Sequence, residues 1–64
     1  MNNEIEVAVY ETGDNGIATF RESMIVENVN FEAFEIGDMF FSPDDKRYVY
    51  LGEPEGCVKL LEVA

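Results

Sequence analysis

The sequence lacks most of the side-chain chemistry that catalysis and metal binding use. It contains no histidine and no tryptophan, and Cys57 is its only cysteine. Acyl-transfer chemistry at Ser23 or Ser42 would therefore have no histidine as a base, and nothing resembling an oxyanion loop surrounds either serine. A zinc site would need further cysteine or histidine ligands. We predict no catalytic, cofactor-binding or metal-binding residues, and we read Cys57 as a small packed residue at the start of a strand.

Basic residues are also scarce. Four Lys and Arg residues face fourteen Asp and Glu residues, which gives a formal net charge of −10. Binding to nucleic acid depends on Lys and Arg, which displace counterions from the phosphates. This balance argues against direct nucleic-acid binding, and it disfavours anionic membrane surfaces for the same reason. It favours a partner protein with a basic surface, since opposite fields speed association.

No apolar run approaches the length of about 18 residues that would span a bilayer. The first four residues, Met-Asn-Asn-Glu, show neither the basic nor the apolar region of a signal peptide. A single free thiol fits a reducing compartment. The expected location is cytoplasmic.

Sixty-four residues predict one domain, residues 1–64, in which the hydrophobic share of 47% argues against disorder. A chain of this length buries only about 60% of the surface that its unfolded form exposes, so its stability margin is small. No internal disulfide can form from one cysteine. Self-association as a homodimer, or a bound partner, would supply the missing burial.

Short runs rich in β-branched and aromatic residues alternate with turn residues along the chain. Residues 4–10 show period-2 alternation, which predicts a half-buried strand. The Gly- and Asx-containing stretch 12–16 predicts a hairpin loop. A second strand over residues 17–26 would place Ala18, Phe20, Met24 and Val26 on one face, with a bulge near residues 21–23 to account for the break at Glu22.

Residues 30–36 admit two interpretations. Phe31 and Phe34 are spaced i and i+3 after Asn30, a residue that caps helices, which fits one short helical turn. An irregular loop whose two phenylalanines cover the core fits equally well.

The C-terminal half predicts an antiparallel meander. Its strands would span residues 39–42, 47–51 and 57–63, joined by a Pro43-Asp44-Asp45 turn and a Glu53-Pro54-Glu55-Gly56 turn. The spacing Gly37-Asp38-x-Phe40, followed by a turn and Tyr48-Val49-Tyr50-Leu51, resembles the middle of SH3-like small barrels. The resemblance covers only the stretch from Gly37 onwards and implies an architecture without a function. We predict an all-β fold: a small antiparallel SH3-like barrel or a strongly twisted meander of about five strands, with at most one short helical turn.

The hairpin over residues 39–51 carries apolar side chains on both faces. A loop of two or four residues would group Met39, Phe41, Tyr48 and Tyr50 on one face, and Phe40, Val49 and Leu51 on the other. Only one face can line the core of a small barrel. The other would be covered by the Phe31/Phe34 segment, by a second copy of the chain or by a partner, and the tyrosine-bearing face is our choice for an interface.

Two functions fit these features. The first is a protein-binding inhibitor that blocks a basic site on a nucleic-acid-processing host protein, in the manner of the short acidic inhibitors encoded by phages and mobile elements. That likeness is one of size and charge alone. Carboxylates on alternate strand positions lie about 6.5–7 Å apart, close to the phosphate spacing of a nucleic-acid strand, so mimicry of nucleic acid is one form of this hypothesis. The second is a structural or adaptor module that self-associates through the aromatic hairpin face, with the charge serving only solubility.

The predicted partner-binding residues are nine carboxylates that supply the field and two tyrosines that anchor the contact. They are Glu4, Glu6, Glu32, Glu35, Asp38, Asp44, Asp45, Glu53, Glu55, Tyr48 and Tyr50.

Overall fold

A computed structural model describes residues 3–63, and it confirms the predicted all-β class with five strands. The strands are β1 (Glu4–Thr12), β2 (Ala18–Glu27), β3 (Met39–Phe41), β4 (Arg47–Gly52) and β5 (Lys59–Val63). Two 3-10 turns, Phe31–Ala33 and Pro54–Gly56, complete the regular structure.

All five strands belong to one sheet in the order β2-β1-β5-β4-β3. β1 and β2 form a hairpin, and β3, β4 and β5 form the predicted antiparallel meander. The two units join where β1 pairs with β5 in parallel. The strands β2 and β3 lie at the two ends of the sheet and do not pair, so the structure is the twisted meander of our prediction and not its closed barrel alternative.

The predicted irregularity in β2 is confirmed at Arg21. Val9 pairs with Glu22 and Tyr10 pairs with Phe20, which leaves Arg21 as an extra residue between the two pairs. An extra residue interrupts the period-2 alternation of a strand. The prediction that Ala18 and Phe20 share a face with the C-terminal part of β2 is therefore wrong. The Phe20 ring instead lies edge-on to Tyr10, with the ring centroids 5.8 Å apart.

The core lies between one face of the sheet and the segment that follows β2. Its buried side chains are those of Val7, Val9, Val26, Phe31, Phe40, Tyr48, Tyr50, Val58 and Leu60. At the start of the first 3-10 turn, the Asn30 side chain accepts a hydrogen bond from the Glu32 N–H at 3.1 Å. The Phe31 ring stacks on Tyr50 with 5.9 Å between centroids, and Phe34 packs against both rings. Both interpretations of this stretch are therefore partly correct: a short capped turn forms, and its phenylalanines cover the core.

The β3–β4 hairpin has a three-residue loop, and this changes which side chains of its two strands share a face. The Asp45 N–H donates to the Ser42 carbonyl at 3.1 Å, which closes the predicted turn, and Asp45 then adopts a positive φ of 67°. A type I turn followed by a left-handed residue is a common three-residue hairpin loop. Phe40 consequently pairs with Tyr48, and Met39 pairs with Val49. Our loop of two or four residues was wrong by one residue, and a slip of one residue moves the side chains of one strand to the opposite face relative to its partner strand.

Candidate protein-binding surface

The acidic side chains are spread along the whole described part of the chain, and nearly all of them lie at the surface. Of the fourteen carboxylates, all except Glu62 are exposed. Glu62 is partly buried and forms an ion pair with Arg21, whose guanidinium also lies 2.9 Å from a carboxylate oxygen of Glu22. Arg21 is the extra residue of the β2 bulge. The two carboxylates raise the pKa of its guanidinium above the ordinary value for arginine, and the hydrogen bond with Glu62 is the main cause. One of only four cations is thus held by the protein's own carboxylates.

Glu4 and Glu6 lie two residues apart on β1, as predicted, and the fold adds a third carboxylate beside them. The antiparallel register places Glu27 of β2 directly opposite Glu4. Glu27 was not among the predicted site residues, because its position depends on how the two strands pair. Like charges directly opposite each other on a sheet destabilise it. We refer to Glu4, Glu6 and Glu27 as the carboxylate cluster.

The predicted residues Glu32, Glu35 and Asp38 lie outside the strand that carries Glu4 and Glu6. They belong to the segment whose Phe31 packs on the core face of the sheet, whereas Glu4 and Glu6 alternate with the core residues of β1. Asp38 instead serves locally, since its carboxylate accepts a hydrogen bond from the Glu35 N–H at 3.0 Å.

Glu53 and Glu55 would share the spacing of alternate strand residues only if their loop were extended, and it is not. Glu55 lies within the second 3-10 turn and has a positive φ of 56°. The chain therefore turns between the two carboxylates, and the spacing of alternate strand residues does not apply to them.

Asp44 and Asp45 lie exposed at the tip of the β3–β4 hairpin. The hydroxyl of Ser42 donates a hydrogen bond to the Asp44 carboxylate. This bond stabilises the charged form and lowers the pKa of Asp44. Asp44 thus stays ionised to a lower pH than an ordinary aspartate.

Tyr48 and Tyr50 do not lie on the surface, contrary to their predicted position on an exposed hairpin face. Their side chains are only 2% and 7% exposed, and both belong to the core. Burial, with a smaller contribution from Glu62, raises the pKa of Tyr48. The hairpin register places both tyrosines on the core face of the sheet, where the Tyr48 ring packs against Phe40 and the Tyr50 ring stacks on Phe31.

The opposite face of the sheet carries an apolar row that the sequence did not reveal. The strand registers align one side chain from each strand across the whole sheet. These five residues, which we call the outer row, are Phe20, Tyr10, Leu61, Val49 and Met39. Its two ends are exposed by 54% at Phe20 and 41% at Met39. The Lys59 ammonium lies 5.3 Å from the centre of the Tyr10 ring, within the range of a cation–π contact.

Cys57 is exposed and precedes β5, so its interpretation as a small packed strand residue is wrong. Among residues 3–63, no three carboxylate or thiol groups converge in a way that could hold a metal ion. The same part of the chain contains no helix long and apolar enough to cross a membrane.

No protein-family model matches the chain, and no curated protein or solved structure gives a significant match to it.

Proposed function

We propose that this protein is a small binding protein, not an enzyme, whose acidic surface occupies a basic site on another protein. Within that class we favour an inhibitor of a nucleic-acid-processing host protein, of the kind that phages and mobile elements encode. A basic groove that normally holds phosphates is the natural complement of such a surface.

The carboxylate cluster is the observation that carries this proposal. Glu4 and Glu27 are paired across the β1–β2 hairpin, Glu6 follows on the same face, and all three are exposed. No ion pair joins them to a cation among residues 3–63. Such an arrangement costs stability in the free protein and gains it when a partner supplies the cations.

The outer row supports a second candidate, an adaptor that self-associates or binds through an apolar face. Phe20 and Met39 are exposed at the two ends of this row. Single exposed apolar residues are ordinary on a protein surface, but a continuous apolar row across five strands is not. The interface of this alternative therefore moves from the tyrosines to the other face of the same hairpin. A net charge of −10 on each copy opposes self-association, so we rank this candidate second.

The proposal is tested by immobilising the protein, exposing it to a bacterial lysate and eluting with increasing salt. We expect nucleic-acid-binding proteins to be captured, to elute as salt rises, and to be displaced by duplex DNA added at constant salt. Screening weakens charge-dependent contacts between exposed groups, whereas apolar contacts resist it. Capture that survives high salt and is indifferent to DNA would contradict the proposal.

Two variants with equal numbers of charge reversals separate the effect of the carboxylate cluster on binding from the effect of net charge. The variant E4K/E6K/E27K should lose the captured protein. The control D14K/E53K/E55K changes the net charge by the same amount at exposed loop positions outside the cluster. Because the turn at Glu55 removes Glu53 and Glu55 from any extended row of carboxylates, this control should retain most of the binding. Equal loss in both variants would show that only the overall charge matters, and would remove the cluster from the site.

A further inference from the structure

The two end strands of the sheet, β2 and β3, line the same groove. It has a volume of about 610 Å³ and lies between the C-terminal half of β2 and the β3 strand with its following loop. Its lining residues include Met24, Ile25, Val26, Glu27, Phe40 and Phe41. The groove therefore marks the place where the sheet would have to close to become a barrel.

The floor of the groove is apolar and continuous with the core. Val26 and Phe40 are core residues, and Met24 and Val29 pack against that core. At the sides of the groove the apolar side chains are exposed instead of buried: Ile25 is 56% exposed and Phe41 is 65% exposed. Apolar residues thus lie both at the base of the groove and along its open sides.

The backbone of both end strands offers hydrogen-bonding groups toward the groove. The Asn28 N–H donates to the Asn3 carbonyl, and in an antiparallel pair such bonded positions recur at every second residue. The N–H and C=O of Ile25 and Glu27 therefore point away from β1. The bond from the Ser42 N–H to the Lys46 carbonyl likewise directs the backbone groups of Phe41 away from β4.

The charge around the groove has one sign. Glu4, Glu27 and Asp44 line it, and its lining contains no lysine or arginine. The hydrogen bond from Ser42 helps to keep Asp44 ionised. An occupant with positive side chains is therefore favoured over one with negative side chains.

We propose that this groove binds an extended segment of a partner protein in which apolar and basic residues alternate. The segment would add a strand beside β2 or β3, place its apolar side chains on the floor, and direct its Lys or Arg side chains to Glu4, Glu27 and Asp44. Strand addition of this kind takes its affinity from main-chain hydrogen bonds and its specificity from alternate side chains. The inference rests on the proposed function, since it names the form in which a basic partner is recognised. A second copy of this chain is a poor occupant, because each copy carries a net charge of −10.

The test is an NMR titration of the isotope-labelled protein with a short synthetic peptide of alternating valine and lysine. The expected result is saturable shifts of the backbone amides of Ser23, Ile25, Glu27, Met39 and Phe41. A peptide of alternating valine and glutamate should produce none. Shifts confined to the backbone amides of acidic loop residues such as Asp14 and Glu53 would overturn the groove while leaving the acidic-surface function intact. The absence of any shift would overturn the groove as well, and the lysate experiment would then decide the function separately.

A pair of double variants makes the test specific. The variant I25S/F41S removes the apolar sides of the groove and should weaken peptide binding about tenfold or more. The control I17S/I36S removes two side chains that are also exposed, by 62% and 76%, and that do not line the groove. Its affinity should be unchanged, and its equal loss would contradict the site. Sedimentation of the free protein as a dimer that the peptide dissociates would likewise overturn the proposal, because the natural occupant would then be a second copy.

Discussion

At the scale of single residues, polar groups beside the core decide how the protein responds to pH. Tyr48 is the clearest case, because its ring is buried while Glu62 lies near enough to disfavour the phenolate. Its folded-state pKa is therefore raised above the ordinary value of 10.0. In the unfolded chain the same phenol ionises at the ordinary value, so alkaline pH favours unfolding.

We expect the substitution Tyr48→Phe to remove part of this alkaline sensitivity. The contribution of Tyr48 is fully present below its unfolded pKa and is lost as the pH rises through its folded pKa. The stability of the wild type should therefore fall at alkaline pH more steeply than that of Tyr48→Phe, with little difference between them at neutral pH. Urea denaturation at several pH values measures this. The control Tyr10→Phe removes the hydroxyl of a tyrosine outside the core and tests whether loss of any tyrosine hydroxyl has the same effect. Parallel pH profiles for Tyr48→Phe and the wild type would contradict the argument.

At the scale of elements, β5 organises the fold because it pairs with β1 on one side and with β4 on the other. Its successive side chains face in opposite directions, so Leu60 and Leu61 lie on opposite faces of the sheet. Leu60 lies opposite Val9 and Tyr50 in the core and is fully buried. Leu61 is half-buried in the outer row.

The two leucines give a matched pair of substitutions. Leu60→Ala should lower the free energy of unfolding by about 2–5 kcal/mol, because it leaves a cavity in a closed core. Leu61→Ala should cost about 1 kcal/mol or less, because it removes a side chain that is partly in water. Urea denaturation of both variants compares them directly. Equal costs would mean that the outer row is covered in solution, as the adaptor alternative requires.

At the scale of the whole molecule, negative charge opposes folding as much as it supports solubility. Thirteen exposed carboxylates face four cations, and Arg21 is already paired within the protein. Repulsion within a compact chain of one dominant sign is relieved by screening, over a Debye length of about 10 Å at 0.1 M salt. Salt should therefore stabilise the free protein while it weakens the complex with a basic partner.

We expect the melting temperature of the free protein to rise with sodium chloride concentration. Glu27→Gln should raise it at low salt, because it relieves the opposition to Glu4, and this gain should shrink at high salt. The control Asp14→Asn makes a similar change in an exposed loop and should have a smaller effect. A melting temperature that falls with salt would show that attractive ion pairs outweigh repulsion. If Glu27→Gln is more stable and yet binds the captured partner less well, the carboxylate cluster serves binding at a cost in stability.

The sequence by itself determined the class of fold, most of the strand positions and the sign of the surface. Period-2 alternation in β1, the cap at Asn30, the turn at Pro43 and the irregularity near Arg21 are local signals, and each depends on a few neighbouring residues. The net charge is likewise a property of composition. These are the features that reasoning from residues alone can reach.

The tertiary structure alone decided which side chains meet. A β3–β4 loop of three residues, in place of the predicted two or four, put Tyr48 and Tyr50 in the core and left Met39 and Phe41 on the outside. The pairing of β1 with β2 brought Glu27 opposite Glu4, and the parallel pairing of β1 with β5 completed the outer row. Strand register and sheet order are set by packing over the whole chain, and a shift of one residue changes every face. That is why the strands could be predicted and the surfaces they build could not.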